Sequence, residues 1–321
     1  MGTRRADNRC GSTVTHAKLW WGDYDGAEDP RPVLPEGTMK IAGVQMDVAL
    51  CDIPTNMAAM ISYLRTTAAA GAHLTVFPEC AATGYCFANL EEARPYAQPI
   101  PGPMTQQMTQ ACAELGVFAI FGMLEADGER VFNAAVLVGP QGVVGSYRKV
   151  HLPYLGIDMF TTYGDRPFAV HDAGGLNVGM NICYDAAFPE ASRSLAILGA
   201  DLIALPTNWP PGAETTACSV INARAVENAV YFIAVNRVGS ERGFEFIGRS
   251  KIADPSGNTL VEAKTTGFEI LYAEIDPARA RRKHIIRVPG KHEIDRLADR
   301  RPEMYGTLTE SHTLKRPGRQ N

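Results

Sequence analysis

The chain has 321 residues, 45% of them hydrophobic and 21% charged, with a formal net charge of −4. That length supports one large domain or two small ones, and the composition excludes disordered, collagen-like and disulfide-stapled classes. The longest apolar runs, such as residues 229–235, fall far short of the roughly 20 residues that cross a bilayer, so no membrane partner is expected.

Cysteines stand at positions 10, 51, 80, 86, 112, 183 and 218, an odd set without a CxxC pair. At least one is therefore unpaired within the chain, which favours a reducing compartment and a cytoplasmic location. Charge is unevenly placed: residues 279–321 hold 12 Lys/Arg against 5 Asp/Glu, while the rest hold 19 against 30. Pro, Ile, Leu and Tyr interrupt the basic tail, and no aromatic-rich RNA-binding pattern accompanies it. It is read as packing on the acidic body or on a partner subunit, with no nucleic-acid partner.

Residues 1–38 read as an N-terminal extension, polar at first and then rich in Asp, Glu, Gly and Pro. Arg4-Arg5 is followed by no apolar region, and Ala6 stands where a myristoylation pattern wants Ser or Thr, so neither export nor lipidation is expected. Trp20-Trp21 are expected to pack on the body or on a neighbour. Ordered structure is expected from Met39.

From there, short apolar runs alternate with helical periodicity. Residues 41–46 read as a buried strand, 56–70 as a helix capped near Thr55, and 74–77 as a second buried strand stopped by Pro78. A helix over 105–115, a strand over 117–123 and a hairpin of 131–138 with 142–147 follow. Next come a strand at 176–182, a helix at 189–198, a strand at 202–205, a helix at 215–228 and a strand at 229–235. Strands at 247–253, 259–263 and 268–275 complete the body. This mixture predicts an α/β fold with mixed sheets, two sheets covered by helices, in one domain over 39–275 with a basic tail over 276–321.

Three chemically capable residues sit where strands give way to loops: Glu79, Lys149 and Cys183. Reactive sites in open α/β sheets gather at the carboxyl ends of strands. Cys183 follows its strand at a tight turn into a helix that opens with Pro189 and Glu190, an elbow that exposes a nucleophile. Its thiol needs a base, because a free thiol is mostly protonated at neutral pH. Glu79 suits that role, and Lys149 suits stabilisation of a thiolate or an oxyanion. Separate structural roles for all three remain the competing reading at this point.

Three stretches, Phe77-Pro78-Glu79-Cys80-Ala81-Ala82-Thr83-Gly84-Tyr85, Tyr147-Arg148-Lys149-Val150-His151-Leu152-Pro153 and Cys183-Tyr184-Asp185 with Phe188-Pro189-Glu190, resemble the signature blocks of the nitrilase superfamily of carbon–nitrogen hydrolases. Supporting blocks follow in order: Pro206-Thr207-Asn208-Trp209, Arg224-Ala225-Val226-Glu227-Asn228, and Gly248-Arg249-Ser250 before Asp254-Pro255-Ser256-Gly257. The resemblance covers about residues 39–275. It implies an αββα sandwich of two mixed sheets flanked by helices. It also implies a Glu79-Lys149-Cys183 triad without metal or organic cofactor, the Tyr184 backbone N–H as an oxyanion donor, and a homodimer or higher homo-oligomer.

One departure is visible. Many members of that family carry a second glutamate between the lysine and cysteine blocks, whereas residues 150–182 contain no Glu. Asp158 is nearest the expected place and is the candidate second acid, though its reach is about one methylene shorter. Tyr85, Tyr154 and Trp209 are candidate pocket walls; Cys80 and Cys86 either line the pocket or fill the core as small hydrophobes. His151 is read as bonding within its own loop, and no His/Cys cluster has zinc spacing.

Cys183-Tyr184-Asp185 looks more like the amidase-type branches than true nitrilases, which usually place Trp-Glu after the cysteine. Hydrolysis of a small linear amide to acid and ammonia is the leading expectation. N-carbamoyl hydrolysis is next and nitrile hydrolysis third; a small-molecule-binding regulatory protein that retains the triad is the non-enzymatic alternative.

Overall fold

The structure is a computed structural model and describes residues 37–318; the readings made for Cys10, Trp20 and Trp21 lie outside them. Its strands in chain order are β1 (Met39–Gln45), β2 (Leu74–Val76), β3 (Phe118–Asp127), β4 (Arg130–Gly139), β5 (Gly142–Arg148), β6 (Val170–Asp172), β7 (Asn177–Met180) and β8 (Leu202–Thr207). They continue as β9 (Tyr231–Asn236), β10 (Ser240–Glu241), β11 (Phe244–Glu245), β12 (Lys251–Ala253), β13 (Thr259–Glu262), β14 (Glu269–Ile275), β15 (His284–Val288) and β16 (His292–Asp295). The α-helices are α1 (Ile53–Ala69), α2 (Leu90–Ala93), α3 (Pro103–Leu115), α4 (Pro189–Ile197), α5 (Ile221–Asn228) and α6 (Pro277–Arg281).

Two six-stranded mixed sheets carry the fold, in the orders β14, β1, β2, β3, β4, β5 and β13, β12, β9, β8, β7, β6. In each, two successive parallel pairs lie at the centre, β1 with β2 and β2 with β3 in one, β9 with β8 and β8 with β7 in the other. Antiparallel pairs close both edges.

Side-chain alternation builds the layers. In β3, Ala119, Phe121 and Met123 pack on α1 and α3 through Met57, Met60, Leu64, Met104 and Met108. Ile120 points the other way, into the core shared with Val178, Met180, Leu205 and Ile233 of the second sheet. Helices α4 and α5 cover that sheet through Leu195, Ile221 and Ala225. The result is helix, sheet, sheet, helix. Strands covered on both faces read as near-continuous apolar runs, which is why they were visible in the sequence.

Some boundaries differ from expectation. The cap of α1 is Asp52, whose carboxylate accepts from the Thr55 N–H at 3.1 Å, because Pro54 occupies the first turn and places the helix start before Thr55. The helix expected over 215–228 is a π-helical turn, Thr216–Val220, followed by α5. The strand expected over 247–253 is regular only in β12, because Gly248 and Arg249 take left-handed φ values of 62° and 58°.

The tail is tied to the body. Arg281 pairs with buried Asp201 at 2.7 Å, and Lys283 donates to the Ala229 carbonyl at 2.7 Å. Among the described residues, no helix is long and apolar enough to cross a membrane.

Candidate active site

Glu79, Lys149 and Cys183 follow β2, β5 and β7 and are all buried. The chain around Glu79 is held against β3: the Gly122 N–H donates to the Pro78 carbonyl at 3.0 Å and the Ala82 N–H to the Gly122 carbonyl at 3.1 Å. A Cβ at Gly122 would lie 2.6 Å from the Glu79 Cα, so only glycine permits this approach.

Lys149 Nζ donates to Glu79 Oε1 at 2.7 Å and to Asp158 Oδ2 at 2.5 Å. The ammonium thus lies between two carboxylates in a fully buried site. Asp158 comes in on the 3-10 turn Gly156–Met159. Asn133, on β4, joins the two acids: its Nδ2 donates to Glu79 Oε1 at 2.7 Å and to Asp158 Oδ1 at 2.8 Å. The Cys80 thiol donates to Asn133 Oδ1 at 3.6 Å. Glu79 Oε2 is buried and has no hydrogen-bond partner among the described residues.

Cys183 opens the 3-10 turn Cys183–Ala187 with a left-handed φ of 46°. A non-glycine residue there costs on the order of 1–3 kcal/mol and persists where surrounding contacts enforce it. Asp185 supplies them. Its carboxylate accepts from Tyr147 Oη at 2.8 Å, the Ile182 N–H at 2.8 Å and the His151 N–H at 3.1 Å, and His151 Nδ1 lies 2.7 Å away. This one buried acid fastens the loop after Lys149 to the cysteine turn. His151 therefore bonds across 34 residues rather than within its own loop, and its ring stacks on Phe188 at 3.7 Å.

The electrostatics follow from burial. Desolvation pushes the Cys183 thiol up to about 12, with the Glu79 charge adding to it and Lys149, the Thr207 hydroxyl and the Asn208 N–H opposing it. Desolvation also raises the Glu79 carboxyl above the ordinary carboxylate value, against the pull of Lys149 and Asn133. Burial works against the Lys149 ammonium, but Asp158 and Glu79 outweigh it and hold the group charged. A protonated thiol, a raised carboxyl and a fixed cation share one buried site.

The other candidates fall in different places. Tyr85, expected as a pocket wall, is completely buried with its hydroxyl committed to Asp158 Oδ2 at 2.9 Å and the Leu155 carbonyl at 3.1 Å, so it stands behind the acid. Its backbone N–H donates to buried Glu241, which pairs with buried Arg237. Trp209 is buried, and its backbone N–H donates to Asn236 Oδ1 at 2.8 Å. Tyr154 and Tyr184 are exposed. Tyr184 is the second residue of its 3-10 turn, where backbone N–H groups lack partners within the helix. Among the described residues, no group of three or more His, Cys, Asp or Glu is arranged to hold a metal.

Asn133 stands in none of the motif blocks, and Asp185, Thr207 and Asn208 stand in them without an assigned role. An Asn inside the apolar run 131–138 is a signal that was available, since a buried strand tolerates an amide only where partners satisfy it. Among the described residues, the buried side-chain amide atoms of Asn208 have no hydrogen-bond partner, and the buried Thr207 hydroxyl has no oxygen or nitrogen partner, while that hydroxyl and the Asn208 backbone N–H face the Cys183 sulfur.

The carbon–nitrogen hydrolase family model matches residues 40–284. The chain belongs to this family. It is 40% identical over 268 residues to a protein of Pyrococcus abyssi named nitrilase, covering 83% of this chain and 99% of that one. It is 33% identical over 275 residues to an (R)-stereoselective amidase of a Pseudomonas species, covering 85% and 95%. An amidase structure from Nesterenkonia sp. superposes with a TM-score of 0.72 at 24% identity, covering 86% of this chain and 98% of that one, and supports the same fold. The chain is therefore a hydrolase acting on carbon–nitrogen bonds.

Proposed function

We propose that this hydrolase converts a small linear amide to a carboxylic acid and ammonia through a thioester on Cys183. The observation that carries the reading is the asymmetry of Glu79. One oxygen is saturated by Lys149 and Asn133, while the other is buried, has no hydrogen-bond partner among the described residues and belongs to a carboxylate whose field reaches the thiol. A base oxygen held in that way takes a proton without first breaking a hydrogen bond.

In this reading Glu79 accepts the Cys183 proton as sulfur attacks the carbonyl carbon. Lys149 Nζ and the Tyr184 N–H hold the oxyanion. Glu79 returns the proton to the departing nitrogen, the carbon–nitrogen bond breaks, and ammonia leaves a thioester. Glu79 then deprotonates water as it attacks the acyl carbon, and the thiolate leaves and regains its proton. Asp158 keeps the Lys149 ammonium charged and oriented. A homo-oligomeric assembly is part of the proposal, with the tail joining the contact between copies; removal of residues 279–321 is then expected to weaken oligomerisation, read by sedimentation as a shift toward smaller assemblies.

Nitrile hydrolysis is the second reading, favoured by the relative named nitrilase at 40% identity. The test is release of ammonia and carbon dioxide from matched short amides, N-carbamoyl amino acids and nitriles. Highest kcat/KM on amides, without carbon dioxide, is expected. Faster turnover of nitriles reverses the order, and carbon dioxide release moves the assignment to carbamoyl substrates.

A further inference from the structure

Arg237 directly follows β9 and is completely buried, a costly place for a guanidinium unless its nitrogens find partners. All three do. Nη1 donates to Glu241 Oε1, Nη2 to Asp47 Oδ1 at 2.9 Å and the Val48 carbonyl at 2.8 Å, and Nε to the Val238 carbonyl at 3.3 Å. The Phe246 ring centre lies 4.3 Å from the guanidinium carbon.

Glu241, also buried, spends its second oxygen on the loop that carries the proposed base. Oε2 accepts from the Tyr85 N–H at 2.9 Å and the Cys86 N–H at 2.8 Å. Between Glu79 and Tyr85 the loop folds on itself, with the Thr83 and Gly84 N–H groups donating to the Cys80 carbonyl at 3.0 and 2.9 Å. Gly84 takes a left-handed φ of 83°, and a Cβ there would lie 2.7 Å from the Leu50 Cα and 3.0 Å from Glu241 Oε1. Only glycine lets the carboxylate come this close to the turn.

Tyr85 carries the hold on to the site. Its carbonyl accepts from the Ile157 N–H at 2.9 Å, its hydroxyl lies 2.9 Å from Asp158 Oδ2, and Asp158 accepts from Lys149. Gripped at its N–H, its carbonyl and its hydroxyl, Tyr85 works as a strut. A buried ion pair is a weak source of stability, because apolar residues of the same shape often serve as well. Its directional bonds suit it to placing groups, and a misplacement of about 1 Å at reacting groups costs about a hundredfold in rate.

We propose that the Arg237–Glu241 pair is a positioning device for the reaction, holding Tyr85 so that Asp158 keeps the Lys149 ammonium in place. The proposal rests on the hydrolytic reading above and adds to it two residues that act through Tyr85.

Glu241→Gln keeps the shape and removes one charge. Arg237→Gln combined with Glu241→Gln removes both, so that neither is left buried alone, and Tyr85→Phe removes only the hydroxyl; these two keep the test open if the first variant does not fold. kcat and KM for a short primary amide are measured across pH, beside urea unfolding. Lys149 faces Glu79, Asp158 and Cys183, and a displaced Asp158 lets its ammonium lose the proton at lower pH. The expected result in each variant is a kcat lower by about tenfold or more, a KM changed by less than about twofold, and an alkaline limb moved to lower pH. Tyr85→Phe should add little in the Glu241→Gln background, because both act on one path. A lowered urea midpoint with kcat and the alkaline limb unchanged overturns the proposal, as do losses that multiply in full. Alkylation of Cys183 by iodoacetamide, mapped on its peptide, is followed in parallel, because Lys149 favours the thiolate. An alkylation profile moved to higher pH in the variants of a protein that turns over no amide supports the positioning role and overturns only the hydrolytic reading. Amide turnover and alkylation both unchanged in the variants overturn the positioning role and leave the hydrolytic reading standing.

Discussion

Asp158 Oδ2 accepts a hydrogen bond from Lys149 Nζ at 2.5 Å, and both side chains are wholly buried. The shorter acid reaches because the 3-10 turn Gly156–Met159 carries its backbone inward, and Tyr85 and Asn133 then fix both carboxylate oxygens. Asp158→Asn keeps the shape and removes the charge that holds the ammonium. The expected outcome is a loss of kcat of about tenfold or more in a folded protein, since a hydrogen bond to a charged group is worth about 1.5–3 kcal/mol. Asp158→Glu adds a methylene to a site already filled, and thermal unfolding should register a loss of about 1–3 kcal/mol.

Asn133 donates to Glu79 and so favours its ionised carboxylate, against the desolvation that raises its pKa. In the proposed mechanism Glu79 acts ionised, so kcat/KM is expected to rise with pH as its carboxyl deprotonates, above the ordinary carboxylate range. Asn133→Ala removes the donor, and the acidic limb of the kcat/KM profile moves to higher pH. A profile that falls in amplitude without moving would assign Asn133 to packing alone.

Asp185 is the fastener between the lysine loop and the cysteine turn. Asp185→Ala leaves the buried Tyr147 hydroxyl and the Ile182 N–H without their acceptor. Each orphaned group costs about 1–3 kcal/mol. The urea midpoint should therefore fall with little change in slope, and turnover should fall further than stability, because the left-handed Cys183 backbone loses its support. An unchanged midpoint would contradict this account of the turn.

What was legible in the sequence follows from burial. Strands covered on both faces, such as β8 and β9, announce themselves as apolar runs, and Glu79, Lys149 and Cys183 stand out as ionisable residues at their ends. Partnerships across the fold were less legible. His151 and Asp185 are 34 residues apart, and only the apposition of β5 and the cysteine turn makes them a pair. Asn133 sits inside a strand that period and propensity already explain, so its amide carried little weight until Glu79 and Asp158 appeared on either side. The course of the tail is decided by tertiary contacts such as Arg281 with Asp201, which no local pattern encodes.

The most direct test of the central claim is intact-protein mass spectrometry after acid quench during turnover of an amide substrate. The account predicts a mass increase equal to the acyl group less one hydrogen, located on the Cys183 peptide and absent from Cys183→Ala, which should be inactive. Turnover retained by Cys183→Ala, or an acyl group found on another residue, would contradict it.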